Sequence, residues 1–186
     1  MSDTTVQKIA RALKILATIT LACNLLALLL VPGLAFFHFD LQHILDLWAY
    51  ESDDCFWAFI GMIFLWWRVG EPYTIAMTLF LLFSGICTAI ILWQGRRMLD
   101  TVLRNAPFSV QNALRLRRAA ACAFLIAAAA VIRTVWGLWF YHSLRPLATY
   151  NALFVPVFAV FGLLCLVMSA LFRQAAEMQA ENDLTI

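Results

Sequence analysis

Charge is scarce in this chain of 186 residues: Asp, Glu, Lys and Arg together make up 13% of it. That is about half the share of an ordinary soluble domain. The apolar fraction is 64%, against roughly 45–50% for soluble domains. A soluble fold of this size cannot hide so much apolar surface from water, which leaves lipid as the solvent. The long apolar stretches carry no acidic residue, which argues against a proton-driven exporter. The five cysteines include no Cys-x-x-Cys pair, so neither a disulfide framework nor a thiol-exchange enzyme is expected. Cys23, Cys87, Cys122 and Cys165 fall in apolar runs and read as small buried hydrophobes, while Cys55 lies in a polar-facing segment. No phosphate-binding loop, zinc-protease helix, nucleophile elbow or dinucleotide fingerprint occurs. No internal repeat is evident. The net charge of +2 is too small to mark nucleic acid as a direct partner.

What is present is four apolar stretches, each long enough for the roughly 20 helical residues that cross about 30 Å of hydrocarbon. They run over residues 13–37, 73–93, 119–140 and 150–172. Each must be helical, because lipid offers no partner for backbone N–H and C=O groups. The spacing predicts one all-α membrane domain, a bundle of four transmembrane helices. An outer segment (38–72), a hairpin (94–118) and a tail (173–186) complete the chain. The first stretch is longer than the roughly 7–15 apolar residues of a signal peptide and is expected to stay as a span. Lys8, Arg11 and Lys14 precede it, and Arg96, Arg97, Arg104, Arg115, Arg117 and Arg118 fill the middle connection. The two other connections hold only Arg68 and Arg145. Basic residues stay inside, so both termini and the hairpin are expected in the cytoplasm, the protein itself lying in a bacterial inner membrane. Residues 55–67, rich in Phe and Trp, are too short to span and read as a small β-hairpin or an interfacial helix on the outer surface.

Local signals refine the hairpin and the ends. Span two is expected to continue as helix through Leu103, and Asn105-Ala106-Pro107 to break it. Ser109 suits the cap of the next helix, with Phe108 as its apolar staple. Alanines between 119 and 130 would let neighbouring helices approach closely, making span three the central packing helix. Pro156 is expected to kink span four. That span should project to about Glu181, with Asn182 as a stop and residues 183–186 as an extended tail.

Arg133 is the most informative single residue. A charge a few residues from the middle of a span costs at least about 2.5–3.5 kcal/mol. It is expected to face the bundle interior or a wet cavity. Asn24, Thr78, Thr134, or an acid such as Glu51 or Glu71 are its candidate partners. It reads either as an anchor for an anionic ligand or lipid headgroup, with Asn24 and Thr78 beside it, or as a buried brace. His38, His43 and His142 gather at the outer end with Asp40 and Asp46 nearby. Imidazole and carboxylate suit zinc, and haem is the other group the histidines would serve. Their spacing is no recognised ligand motif, so no cofactor is expected. This cluster is also the sole candidate for acid–base chemistry, and an enzyme is not expected.

Two stretches, Asn105-Ala106-Pro107-Phe108-Ser109-Val110-Gln111-Asn112-Ala113-Leu114-Arg115-Leu116-Arg117-Arg118 and Ala170 through Asp183-Leu184-Thr185-Ile186, resemble the bacterial membrane family called domain of unknown function 2975. Members look like four-span proteins with a Pro/Gly-x-Phe-Ser turn before span three and an acidic tail ending much like Asp-Leu-Thr-Ile. The resemblance covers the layout of nearly the whole chain, and the terminal motif is its more specific part. The aromatic outer segment resembles no named motif. Such genes often sit beside a small Cro/C1-type helix-turn-helix regulator. The resemblance therefore implies a membrane partner that holds or releases a transcription factor, docked on Phe108, Ser109, Asn112, Arg115, Glu181, Asp183, Leu184 and Ile186. The expected function is a non-enzymatic membrane sensor or sequestering protein. The alternative is a small transport, immunity or lipid-binding protein with its ligand at Arg133. The expected partners are the bilayer, the regulator and, as a further option, a second copy of the chain.

Overall fold

A computed structural model describes residues 5–36, 72–104, 108–142 and 150–184. Four long helices account for nearly all of them: α1 (Thr5–Phe36), α2 (Pro72–Leu103), α3 (Val110–Tyr141) and α4 (Phe154–Leu184), the last preceded by a 3₁₀ turn over Tyr150–Leu153. All four are long and apolar enough to cross a membrane. No strand occurs among the described residues. The segment 55–67 and the outer histidines His38 and His43 lie outside the described residues.

Each helix is longer than a bilayer requires. At 1.5 Å per residue, the 32 residues of α3 reach about 48 Å, against about 30 Å of hydrocarbon. The excess lies at the end marked by Arg11, Lys14, Arg96, Arg97, Arg115, Arg117, Arg118 and Arg173, called here the basic end. At that level the guanidinium groups of Arg96 and Arg97 lie over the Trp93 ring, 5.7 and 5.4 Å from its centroid. Trp136 and Trp139 mark the opposite end on α3, the tryptophan end. From Arg118 to Trp139 the helix rises about 31 Å, the thickness of one hydrocarbon core.

Packing follows side-chain size. The principal interfaces join α1 to α2, α2 to α3, and α3 to α4. The middle helix α3 buries Ala113, Ala119, Ala120, Ala123, Ala127 and Ala130. Removing bulk on one face lets neighbouring backbones close in, which is how helices associate where lipid tails are as apolar as leucine. Ile126 is the one large apolar side chain that α3 buries completely. The tip of the Phe124 ring of α3 lies against Gly162 of α4, where a β-carbon would come within 3.0–3.2 Å of it. Gly85 of α2 makes the matching room for Leu28 of α1.

Two sequence expectations about α4 need correcting. Pro156 occupies the third position of the helix, where an amide has no intrahelical acceptor. It starts α4 instead of kinking it. Asn182 does not stop the helix either: α4 continues to Leu184, so Asp183 and Leu184 belong to its last turn and not to an extended tail. Ile186 lies outside the described residues.

Candidate functional site

Ser109 builds the entrance to α3. Its backbone is extended, φ −137 and ψ 146, and its hydroxyl accepts from the Asn112 amide at 3.3 Å, as an N-cap requires. Phe108 is expected to staple onto its own helix. It packs instead on Phe172 of α4, ring centroids 5.6 Å apart. The position that a staple would touch holds Ala113, which is too small and is itself buried. A second tie from α4 lies one turn along, where the Ser169 hydroxyl donates to the Ala113 carbonyl at 2.7 Å.

Asn112 is the centre of a polar knot at the basic end. It is 0% exposed. Its amide nitrogen donates to the Thr101 hydroxyl oxygen at 2.6 Å, and Thr101 in turn donates to the Met98 carbonyl at 2.6 Å. Its side-chain oxygen accepts from Arg115 at 2.9 Å, and the same guanidinium nitrogen also reaches the Arg97 carbonyl, again at 2.9 Å. The ends of α2 and the start of α3 are thereby locked in register. Lys14 of α1 extends the tie to Asp100 of α2, at 2.6 Å. That hydrogen bond, helped by the charges of Lys14, Arg104 and Arg96, holds the Asp100 carboxyl below its usual range.

Of the residues singled out for docking, Ser109, Asn112 and Arg115 are thus spent on the fold, and Asn112 offers a partner no surface. Phe108 remains half exposed, with Val110 and Leu114 beside it and Met178 on α4 similarly open. Phe108, Val110 and Leu114 lie beyond Arg118, outside the roughly 30 Å of hydrocarbon. Glu181 is exposed on α4. The Arg173 guanidinium is held by Glu177 at 2.9 Å.

Arg133 sits roughly 7 Å from the middle of its span, toward the tryptophan end. It is partly buried between α3 and α2. Its guanidinium donates to the Met77 thioether at 3.0 Å and lies 5.0 Å from the centre of the Phe80 ring. Both partners are neutral and soft, a weak hydrogen-bond acceptor and a π face. No carboxylate pairs with it among the described residues. Thr134 donates to the Ala130 carbonyl at 2.8 Å. Thr78 lies at the same level and is fully buried. Asn24 does not join them. Lys14 meets Asp100 and Leu28 meets Gly85 across the antiparallel pair, which sets Asn24 opposite roughly residue 89 of α2. The distance along the axis to the level of Arg133 is then about 16 Å. The side-chain oxygen of Asn24 is buried and has no hydrogen-bond partner among the described residues.

His142, the last of the three outer histidines, is the C-cap of α3 and adopts the left-handed region, φ 45 and ψ 34. No group of three metal-ligating side chains occurs among the described residues.

Sequence reasoning missed Met77, Phe80 and Thr101. The first two carry no signal in an apolar run. Thr101 could have been found: it stands about as far before the Asn105–Pro107 break as Asn112 stands after it, the placement of a cross-hairpin pair.

Residues 57–186 match the family described as "Protein of unknown function (DUF2975)", and the chain belongs to that family. No curated protein and no solved structure matches it.

Proposed function

We propose that this member of the DUF2975 family is a non-enzymatic membrane sensor. Its input is an anionic amphiphile at Arg133, and its output is a helix-turn-helix regulator held at the basic end. In this reading the basic end faces the bacterial cytoplasm, because lysine and arginine are retained there during insertion. One observation carries the proposal. The same two helices, α2 and α3, hold a cation with only neutral partners among the described residues near one leaflet and a fully bonded polar knot beyond the other. An anion bound at Arg133 replaces the Met77 and Phe80 contacts and so changes how α2 lies on α3. The change reaches the basic end only if the ligand binds two arrangements of this pair unequally.

Phe108, Val110 and Leu114 offer the regulator an apolar surface outside the hydrocarbon, and Glu181 an acidic one. Two measurements test the reading. Tagged full-length protein should retain a DNA-binding partner, and a chain ending at residue 181 should release it. Retention without residues 182–186, or no DNA-binding partner at all, removes the docking role. Replacing Arg133→Leu should abolish the retention of an anionic amphiphile seen by mass spectrometry of the purified protein. Unchanged retention would make Arg133 a brace.

The lipid-binding alternative shares the first half of this proposal. It is favoured by the same soft partners of Arg133, and it parts from the sensor reading if amphiphile retention leaves regulator binding unaltered.

A further inference from the structure

The α2–α3 contact that holds Arg133 carries chemistry of its own, in Met77. The Met77 sulfur accepts from Arg133 Nη2 at 3.0 Å, and the guanidinium carbon stands 5.0 Å from the centre of the Phe80 ring. A thioether is a weak acceptor. It is also a group that oxidation converts: sulfur takes up one oxygen and becomes a sulfoxide, polar and chiral at sulfur. Met77 is only half-buried, so its sulfur is not sealed off. Its unbranched chain has three rotatable bonds with which to place a new oxygen.

Position decides what that oxygen does. On a methionine facing lipid tails it would be a polar atom with no donor, which is costly in hydrocarbon. Beside Arg133 a charged donor already points at the sulfur. The sulfoxide oxygen is a far stronger acceptor than the thioether, and hydrogen bonds from a charged donor are the strong ones. Oxidation at this position therefore strengthens a contact between α2 and α3, where elsewhere in the span it would weaken packing.

We propose that Met77 is an oxidation site, and that its sulfoxide holds the Arg133 guanidinium against a competing anion. The oxidant is hypochlorous acid, which is small and uncharged and so enters hydrocarbon that excludes ions. A sulfur lone pair attacks chlorine and displaces hydroxide. Hydroxide then replaces chloride on sulfur, and the proton of the new S–OH leaves with the chloride as hydrogen chloride. Sulfur is oxidised by two electrons and chlorine is reduced by two. Because Arg133 occupies one lone pair of the sulfur, the oxidant meets the other, and one sulfoxide epimer predominates. The effect on binding rests on the anion site proposed at Arg133; the modification itself does not.

Peptide mass spectrometry of the full-length protein tests it, after limited hypochlorite treatment in micelles of a saturated detergent. Epimer-specific sulfoxide reductases assign the product. Met77 should gain one oxygen, with one epimer in excess by at least about threefold, a discrimination within the reach of one net hydrogen bond. Met178, 53% exposed, should give both epimers equally. R133L should bring the Met77 epimers close to equality, and R133K, which keeps a donor, should preserve the bias. Dodecyl phosphate serves as the anionic probe. The oxidised protein should retain it about three- to tenfold less than the reduced protein, whereas hypochlorite should not change its retention by M77L. An unoxidised Met77 when Met178 is fully oxidised, equal epimers at Met77, or a bias unchanged in R133L would overturn the oxidation site. Equal retention before and after oxidation would overturn its effect on binding. Failure of the reduced protein to retain dodecyl phosphate would instead remove the anion site at Arg133, and the epimer ratio would still decide the modification.

Discussion

Helices α1 and α3 are the same length, 32 residues, and both are apolar enough to cross a bilayer, yet they live in different surroundings. Only 6% of the apolar window of α1 is buried, against 33% for α3. On α1 the exposed side chains include the large Ile9, Leu13, Ile15, Leu16, Ile19, Leu25, Leu26 and Leu29, next to the small Ala12, Ala22 and Ala27. The buried side chains on α3 are mostly alanine. In water the larger side chains would go inside, because burial is proportional to apolar area. Between lipid tails that drive vanishes, and what decides is how closely two backbones can approach. Hydrophobicity puts a helix in the membrane, and smallness puts it in the middle of the bundle.

The contrast can be broken most forcefully from the α3 side. Ala123 is 0% exposed, and Ala123→Leu adds bulk to a closed interface, which costs about 1–3 kcal/mol or more. A large drop in the thermal unfolding midpoint of the purified protein is expected, whereas Leu16→Ala on α1 should change stability by less than about 0.5 kcal/mol and barely move the midpoint. If the two variants behave alike, the size argument fails.

Next in size is Asn112→Ala. It removes the donor to the Thr101 hydroxyl and one acceptor of the Arg115 guanidinium and should cost about 1–3 kcal/mol. Proteolysis between residues 104 and 110 should speed up if the knot holds the hairpin shut; an unaltered cleavage rate would show that the Phe108–Phe172 contact suffices. Gly162→Ala is expected to cost less, since the Phe124 ring need give only a few tenths of an ångström and alanine favours helix by about 1 kcal/mol over glycine. A net destabilisation measured by denaturation would show that the ring cannot move.

The smallest effect belongs to the Lys14–Asp100 pair, an ionic tie between α1 and α2. The Asp100 carboxyl is held below its ordinary value. Its stabilisation is therefore present above the usual carboxylate range and is lost as pH falls through the lowered value. The partners are 34% and 38% exposed, so the pair contributes no more than about 1 kcal/mol. Asp100→Asn should remove this part of the acid dependence and leave stability at neutral pH nearly unchanged. An acid limb identical to that of the parent protein would exclude Asp100 as its source.

The four spans were legible because lipid solvation demands long uncharged runs, and the Ser109 cap because its chemistry is local. The neighbours of Arg133 were not. Met77 and Phe80 are ordinary members of an apolar run, and nothing along the chain distinguishes the methionine that meets a guanidinium from one that meets lipid. Asn24 and Thr78 looked equally suitable as partners, yet helix register sets Asn24 about 16 Å away along the axis. The family resemblance put Asn112 on a docking surface. It is buried because α2 continues as helix to Leu103 and covers it. The end of α4 was misjudged for a related reason: a local stop signal at Asn182 is overridden by a helix that was already long.

The order of packing, α1 on α2, α2 on α3 and α3 on α4, bears on biogenesis. Each principal interface joins segments made one after the other, so the first hairpin has its partner before the third span leaves the ribosome. Assembly of this kind pairs neighbours along the sequence and keeps entropic barriers low. It also gives the alanine helix a particular moment of importance: until α3 inserts, α2 has only α1 to lean on, and the last span has nothing to receive it.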